Sequence, residues 1–255
     1  MEIDGIGAIV TGAGSGLGRA TARHLASLGA RVGVLDFNGD AAQAVADQFG
    51  GIALQANVAD AAQVEAAFAA FADWAGSMPR VVVNCAGIGT AARVVNREGA
   101  LAIDAFRRTV EVNLIGTFIM LSHGLKGMAG LEPLGRDGER GVIINTASVA
   151  YQDGQIGQAA YAASKGGVAS LSLPVAREAA RAGVRVMAIA PGMFQTAMVD
   201  GLPEEIQRGI AATIPFPSRF GDPEDYAAMA EHIIRNKMLN GSTIRLDGAV
   251  RLPPK

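Results

Sequence analysis

The sequence predicts an α/β fold: one doubly wound sheet of seven parallel strands with helices on both faces. Three observations carry this. Short β-branched runs alternate with longer Ala-rich amphipathic stretches, the pattern of strand–helix–strand units. Two runs, Val81-Val82-Val83 and Val142-Ile143-Ile144, are apolar without a break, as strands buried on both faces should be. Half of the 255 residues are hydrophobic, enough to build one core in a single domain spanning residues 1–255.

In chain order, strands are predicted at residues 7–11, 31–36, 52–56, 81–84, 142–146, 184–190 and 243–246. Helices are predicted at 17–28, 41–49, 61–74, 106–128 and 159–181. Six crossovers then use the whole length and leave no linker or second domain. Two segments, 89–104 and 192–222, are longer than a normal connection between strand and helix. Both follow the C-terminal end of a strand, where open α/β sheets bind ligands. In the second, Met193, Phe194, Met198, Val199, Leu202, Ile206 and Ile210 recur at helical spacing and read as a lid over an apolar substrate.

Charge and cysteine usage narrow the function classes. Net charge is −2 and no run of Lys or Arg stands out, so the basic stripe that nucleic acid requires is missing. The lone cysteine, Cys85, cannot form a disulfide within the chain, which fits a reducing compartment. The first residues run almost at once into an apolar strand, and no stretch of about 20 apolar residues follows. The expectation is a soluble cytoplasmic protein that binds neither membrane nor nucleic acid. Only 18% of residues are charged, which hints at subunit interfaces. His24, His123 and His232 have no spacing suited to a metal, and none is expected.

The first strand runs into Thr11-Gly12-Ala13-Gly14-Ser15-Gly16-Leu17-Gly18, and then a helix begins. Gly12, Gly16 and Gly18 permit a tight turn, close backbone approach to a pyrophosphate and close helix-on-sheet packing. The helix start offers free N–H groups and a positive dipole end. Asp36 ends the second strand about 20 residues later, placed to accept hydrogen bonds from both adenosine ribose hydroxyls. Its charge repels a 2′-phosphate, and Phe37 follows it in place of an arginine. The cofactor expected is therefore NAD, in a Rossmann-type sheet.

Ser148 lies just past the fifth strand, and Tyr161 and Lys165 project from one face of the helix that follows. Free tyrosine, with a pKa near 10, is a poor base at neutral pH. An ammonium one turn away is expected to lower that pKa and make Tyr161 a general acid/base. Ser148 then holds the substrate oxygen, and Lys165 also grips the nicotinamide ribose.

Together these pieces resemble the short-chain dehydrogenase/reductase family over nearly the whole chain. The matching residues are Thr11–Gly18, Asn84-Cys85-Ala86-Gly87, Asn113, Ser148, Tyr161 with Lys165, and Pro191-Gly192. The resemblance implies reversible hydride transfer between NAD and a secondary alcohol or ketone. It implies that Asn84–Gly87 back the adenosine side of the cofactor. Asn113 is implied to hold a water in a proton relay from Lys165, and Pro191, Gly192 and Thr196 to meet the nicotinamide. A closer likeness is to the type 2 3-hydroxyacyl-CoA dehydrogenase branch of the family, which includes 17β-hydroxysteroid dehydrogenase type 10. It rests on residues 140–150, 154–167, 185–187, 215–219 and 244–249. That likeness implies Ser15, Leu17, Asp36, Val58, Cys85, Phe194 and Thr196 as further cofactor contacts, Gln155 beside the substrate, and a homotetramer. The substrate it implies is a 3-hydroxyacyl-CoA, with plain secondary alcohols or hydroxysteroids second.

Three departures from that branch stand out. Asn57 replaces an aspartate before Val58 and keeps a carbonyl for the adenine amino group. Segment 90–104 is shorter and carries Arg93 and Arg97 where the branch has paired lysines. Tyr151 and Gln152 replace smaller or apolar residues. A non-catalytic NAD-binding scaffold is the contrasting reading, opposed by the complete Ser148–Tyr161–Lys165 set.

Overall fold

The computed structural model describes residues 1–195 and 203–254. The strands are β1 (Gly7–Thr11), β2 (Arg31–Asp36), β3 (Ile52–Gln55), β4 (Val81–Asn84), β5 (Gly141–Thr146), β6 (Val184–Pro191) and β7 (Thr243–Leu246). All pair in parallel, in the order β3-β2-β1-β4-β5-β6-β7. The chain reverses its winding between β1 and β4, where Ala8 faces Val81 and Thr11 faces Asn84. A crevice at such a reversal, outside the carboxyl ends of the strands, is where doubly wound sheets take ligands.

Alternation along each strand divides the core between two faces. On one face Ala8, Val10, Val83, Val142 and Ile144 pack with α1 (Gly16–Ser27), α2 (Gly39–Ala46) and the helix α8 (Pro223–Arg235). On the other, Ile9, Val82, Ile143 and Val186 pack with α3 (Ala61–Ala75), α5 (Gly116–Ala129) and α6 (Ala159–Ala179). Helix starts are fixed locally. Asp60 accepts the Ala62 and Gln63 N–H groups ahead of α3, and Asp222 with Asp225 forms a capping box ahead of α8.

The predicted helix at 106–128 is broken. It begins earlier, as α4 (Ile103–Val110), passes through a π-helical turn at Glu111–Ile115, and continues as α5. The cause is Asn113, whose side chain leaves the helix surface to bond the Ile88 backbone. The long segment after β6 holds the helix α7 (Glu204–Ala211), which has no buried residue. Of the apolar stripe expected there, Phe194 packs on Gly221 and Ile206 is exposed, while Met198, Val199 and Leu202 lie outside the described residues.

Ile143 is fully buried at the centre of the sheet. Ile143→Ala should lower unfolding stability by about 2–5 kcal/mol, through lost transfer energy and the cavity left behind. Urea denaturation checks this, and a loss under about 1 kcal/mol contradicts that packing.

Candidate active site

The turn between β1 and α1 is shaped by its glycines. Gly18 has no room for a side chain, because a Cβ there would sit 2.3 Å from the Gly12 carbonyl oxygen. Gly12 adopts φ +61°, and its Cβ would strike the Ala86 backbone at 2.8 Å, so β1 and β4 close together behind the turn. Gly16 is the opposite case: its φ is +51° and no heavy atom lies within 4 Å of a Cβ built there. Ser15 precedes α1 in extended conformation without capping it, and no acidic residue occupies the first turn. The first N–H groups of α1 therefore face an open side with a positive dipole end. Leu17 roots this turn in the core.

Asp36 is held at the edge of the same opening. One carboxylate oxygen accepts the Gly14 N–H and the other the Asn38 N–H, each at 2.9 Å. Each oxygen keeps a lone pair for a ribose hydroxyl. Asn57 spends one lone pair of its carbonyl on the Ala59 N–H at 3.1 Å, and Val58 is buried against Gly116. On β4, Asn84 donates to Asn145 at 2.9 Å, and the Ala86 N–H donates to the Thr11 hydroxyl at 3.0 Å. The Cys85 sulfur turns toward the Tyr226 hydroxyl, and burial pushes its thiol pKa up, so it stays a thiol. Gly87 is exposed, and its missing Cβ leaves the way open toward Asn113 Oδ1 and Lys165 Nζ, 3.2 and 3.5 Å from where it would stand.

The second cluster forms where β5 and α6 meet. Ser148, two residues past β5, caps a short 3₁₀ turn by accepting the Ala150 N–H at 3.2 Å. Its hydroxyl also lies near enough to the Tyr161 phenol to favour the ionised form. Lys165 Nζ donates to the Thr146 carbonyl at 2.7 Å and lies 5.8 Å from the Tyr161 ring centroid. The amide of buried Asn113 donates to Ile88 O at 2.9 Å and to Ser164 Oγ at 3.1 Å, and its oxygen accepts the Ile88 N–H at 2.7 Å. Ser164 in turn donates to the Tyr161 carbonyl at 2.8 Å, so Asn113 touches the first turn of α6 through one hydroxyl.

The electrostatics of the pair run against the expectation. The Tyr161 phenol has a raised pKa, because burial outweighs the hydrogen bond from Ser148. Lys165 does not lower it here. Its ammonium is drawn to Thr146, and its own pKa falls to about 8 by desolvation. At neutral pH Tyr161 is thus a phenol, ready to give a proton.

The nicotinamide-side residues are placed as follows. Pro191 ends β6, and the Gly192 N–H donates to Leu246 O at 2.9 Å, with no room for a side chain beside Asp247. Phe194 is buried on Gly221, and Thr196 lies outside the described residues. Gln155 is engaged elsewhere: it donates to Pro253 O at 3.1 Å and accepts from Gln158 at 3.3 Å. Sequence reasoning missed Thr146, whose carbonyl anchors the lysine and whose hydroxyl meets Tyr226 at 2.6 Å. Among the described residues no group of three metal-ligating side chains occurs.

The open turn at Gly16, the uncapped start of α1 and the tethered Asp36 fit a dinucleotide: pyrophosphate over the turn, adenosine ribose at Asp36, nicotinamide ribose at Lys165. Such a group supplies or accepts the hydride when bound.

The fold and this arrangement define an oxidoreductase acting on CH–OH groups, and the chain belongs to the short-chain dehydrogenase family, whose model matches residues 7–207. Relatives agree along the full length. The chain is 44% identical over 257 residues to 3-hydroxyacyl-CoA dehydrogenase type-2 of Homo sapiens, covering 99% of this chain and 98% of that one. It is 44% identical over 252 residues to the Drosophila melanogaster protein of the same name, covering 96% and 97%. Among solved structures, 3-hydroxyacyl-CoA dehydrogenase type-2 from Mycobacterium avium superposes with a TM-score of 0.92 at 38% identity, covering 98% of both chains.

Replacing the buried ammonium tests the electrostatics. Lys165→Met should stabilise the nucleotide-free protein below pH 8 by up to about 3 kcal/mol, the cost of holding a lysine charge whose pKa has fallen from 10.5 to about 8. Between those two values the unfolded wild-type chain binds the extra proton, so wild-type stability rises with pH and the gap should narrow. A gap that stays constant from pH 7 to 10 in thermal melts contradicts the lowered pKa.

Proposed function

We propose that this chain is an NAD-dependent dehydrogenase that interconverts a 3-hydroxyacyl-CoA and the corresponding 3-oxoacyl-CoA. All of this would be done by one domain, residues 1–255. The observation that carries the reading is the convergence of Ser148, Tyr161, Lys165 and Asn113 on one face of the crevice, in a chain matching the full length of relatives so named. In the reductive direction the phenol of Tyr161 gives its proton to the ketone oxygen while Ser148 donates a hydrogen bond to it. Lys165 binds the nicotinamide ribose and, with a water held by Asn113, returns a proton to the phenol. Overall, R₂C=O, NADH and a proton give R₂CHOH and NAD⁺. Asp36, its carboxylate aimed by two backbone N–H groups, favours NAD over NADP.

A second reading is favoured by segment 89–104, which has no lysine and offers a CoA phosphate only Arg93 and Arg97. On that reading the substrate is a plain secondary alcohol or a hydroxysteroid. NADH absorbance with hydroxyacyl-CoAs, short alcohols and steroids separates the two. Tyr161→Phe should cut turnover at least about 10³-fold while NADH still binds. Because the phenol pKa is raised, alcohol oxidation should keep climbing with pH to about 10, whereas a plateau near pH 8 contradicts the assigned base.

The assembly proposed is a homotetramer in the cytoplasm. Support comes from the exposed Ile103, Phe106, Ile115 and Phe118 along α4, the π-helical turn and α5, beside an apolar cavity of about 510 Å³ that reaches Ala159 and Ala160. No helix among the described residues is long and apolar enough to cross a membrane. Light scattering should give four times the mass of one chain, and Phe118→Glu should reduce it. A monomeric wild type overturns the assembly.

A further inference from the structure

Between Ser148 and Tyr161 runs a loop, residues 149–158, that borders the oxygen-binding side of the crevice. Its internal support is thin: a 3₁₀ turn at Val149–Tyr151, the Asp153 N–H on Val149 O, and Gln158 folded back on Gln155. Outside it, the Ala92 N–H donates to Gly157 O at 2.8 Å, and one guanidinium grips the Gln152–Asp153 end. Arg245, on β7, donates to Asp153 Oδ2 at 2.7 Å, to Gln152 Oε1 at 2.9 Å, to Asp247 Oδ2 at 2.7 Å and to Val250 O at 3.0 Å. Arg245, Asp153 and Asp247 are each at most 16% exposed, which lifts these bonds above the near-zero worth of surface pairs. Asp247 packs on Gly192, so the same guanidinium ties the loop to the turn after β6. The chain beyond β7 completes the clamp, with Pro253 O accepting from Gln155 and Pro254 O from the Ile156 N–H.

We propose that Arg245 is a positioning residue for substrate: through Asp153 and Gln152 it holds loop 149–158 at a fixed distance from the Pro191–Gly192 turn. The inference rests on the dehydrogenase reading for its kinetic consequence alone. Arg245 touches neither the turn at Gly12–Gly18 nor Asp36, so the adenosine and pyrophosphate end of the nucleotide should bind without it, and the NADH Kd should change little. The planar fork reaches two carboxylates and an amide at once, and a lysine cannot.

Arg245→Gln, Asp153→Asn, their double variant and Arg245→Lys test this, by hydrogen exchange and steady-state kinetics. Amides of 149–158 should exchange at least about tenfold faster in each single variant, with β1 and α1 unchanged. The substrate KM should rise about five- to tenfold, kcat and the NADH Kd should stay within about threefold, and Arg245→Lys should fall between. The double variant should be no worse than Arg245→Gln, as expected for two ends of one interaction. Unchanged exchange across 149–158 in Asp153→Asn, or additive penalties in the double variant, overturns the proposal. If Arg245→Gln fails to fold, Asp153→Asn decides by itself. Absence of wild-type turnover sinks the dehydrogenase reading instead and leaves the exchange comparison to judge the clamp.

Discussion

Lys165 carries the constraint on which the site depends: an ammonium 4% exposed, hydrogen-bonded to a carbonyl and, among the described residues, in no ion pair. Taking a charge out of water without a counter-charge is costly, and the fall of its pKa to about 8 expresses that cost. Such a group persists only where the surrounding framework is rigid. Here β5 delivers the Thr146 carbonyl from the centre of the sheet, and α6 brings the amine to it over the Tyr161 ring. An ammonium has three donors, and Thr146 takes one. The remaining donors are suited to the ribose hydroxyls of a dinucleotide, so cofactor binding and the proton-handling phenol meet at one amine.

The same burial acts on the phenol. A phenol shielded from water resists ionisation, so at neutral pH Tyr161 holds its proton. Ser148 opposes this modestly by bonding the oxygen. Asn113 is kept in place by three hydrogen bonds, two to one backbone unit at Ile88 and one to Ser164, and the helix yields a π-turn to let it reach them. Local irregularity in an otherwise regular helix is here the geometric cost of placing an amide near the site.

Much of this was legible in sequence because it is local. The glycine turn, Asp36 at the end of β2 and the Tyr161–Lys165 spacing each follow from nearby residues and one strand or helix. The break at Glu111–Ile115 was not, since Asn113 departs from helix only because Ile88, on another element, offers both an N–H and a C=O. Thr146, Tyr226 and Arg245 were invisible for the same reason: their partners are fixed by the order β4-β5-β6-β7 and by which face each strand presents. The bond from Gln155 to the chain beyond β7 was likewise not legible, because Pro253 lies far off in sequence. Helical spacing shows that Tyr161 and Lys165 share a face, but it carries no information about desolvation, which raises the phenol pKa.

The account turns on Ser148 and Tyr161 sharing one substrate oxygen. A crystal structure of the chain with NAD⁺ and a 3-oxoacyl-CoA, a pair that cannot react, measures this directly. The ketone oxygen should lie about 2.6–3.2 Å from both hydroxyls, with the Lys165 amine on the nicotinamide ribose. A ketone bound with its oxygen away from Tyr161, or a nucleotide whose ribose avoids Lys165, contradicts it.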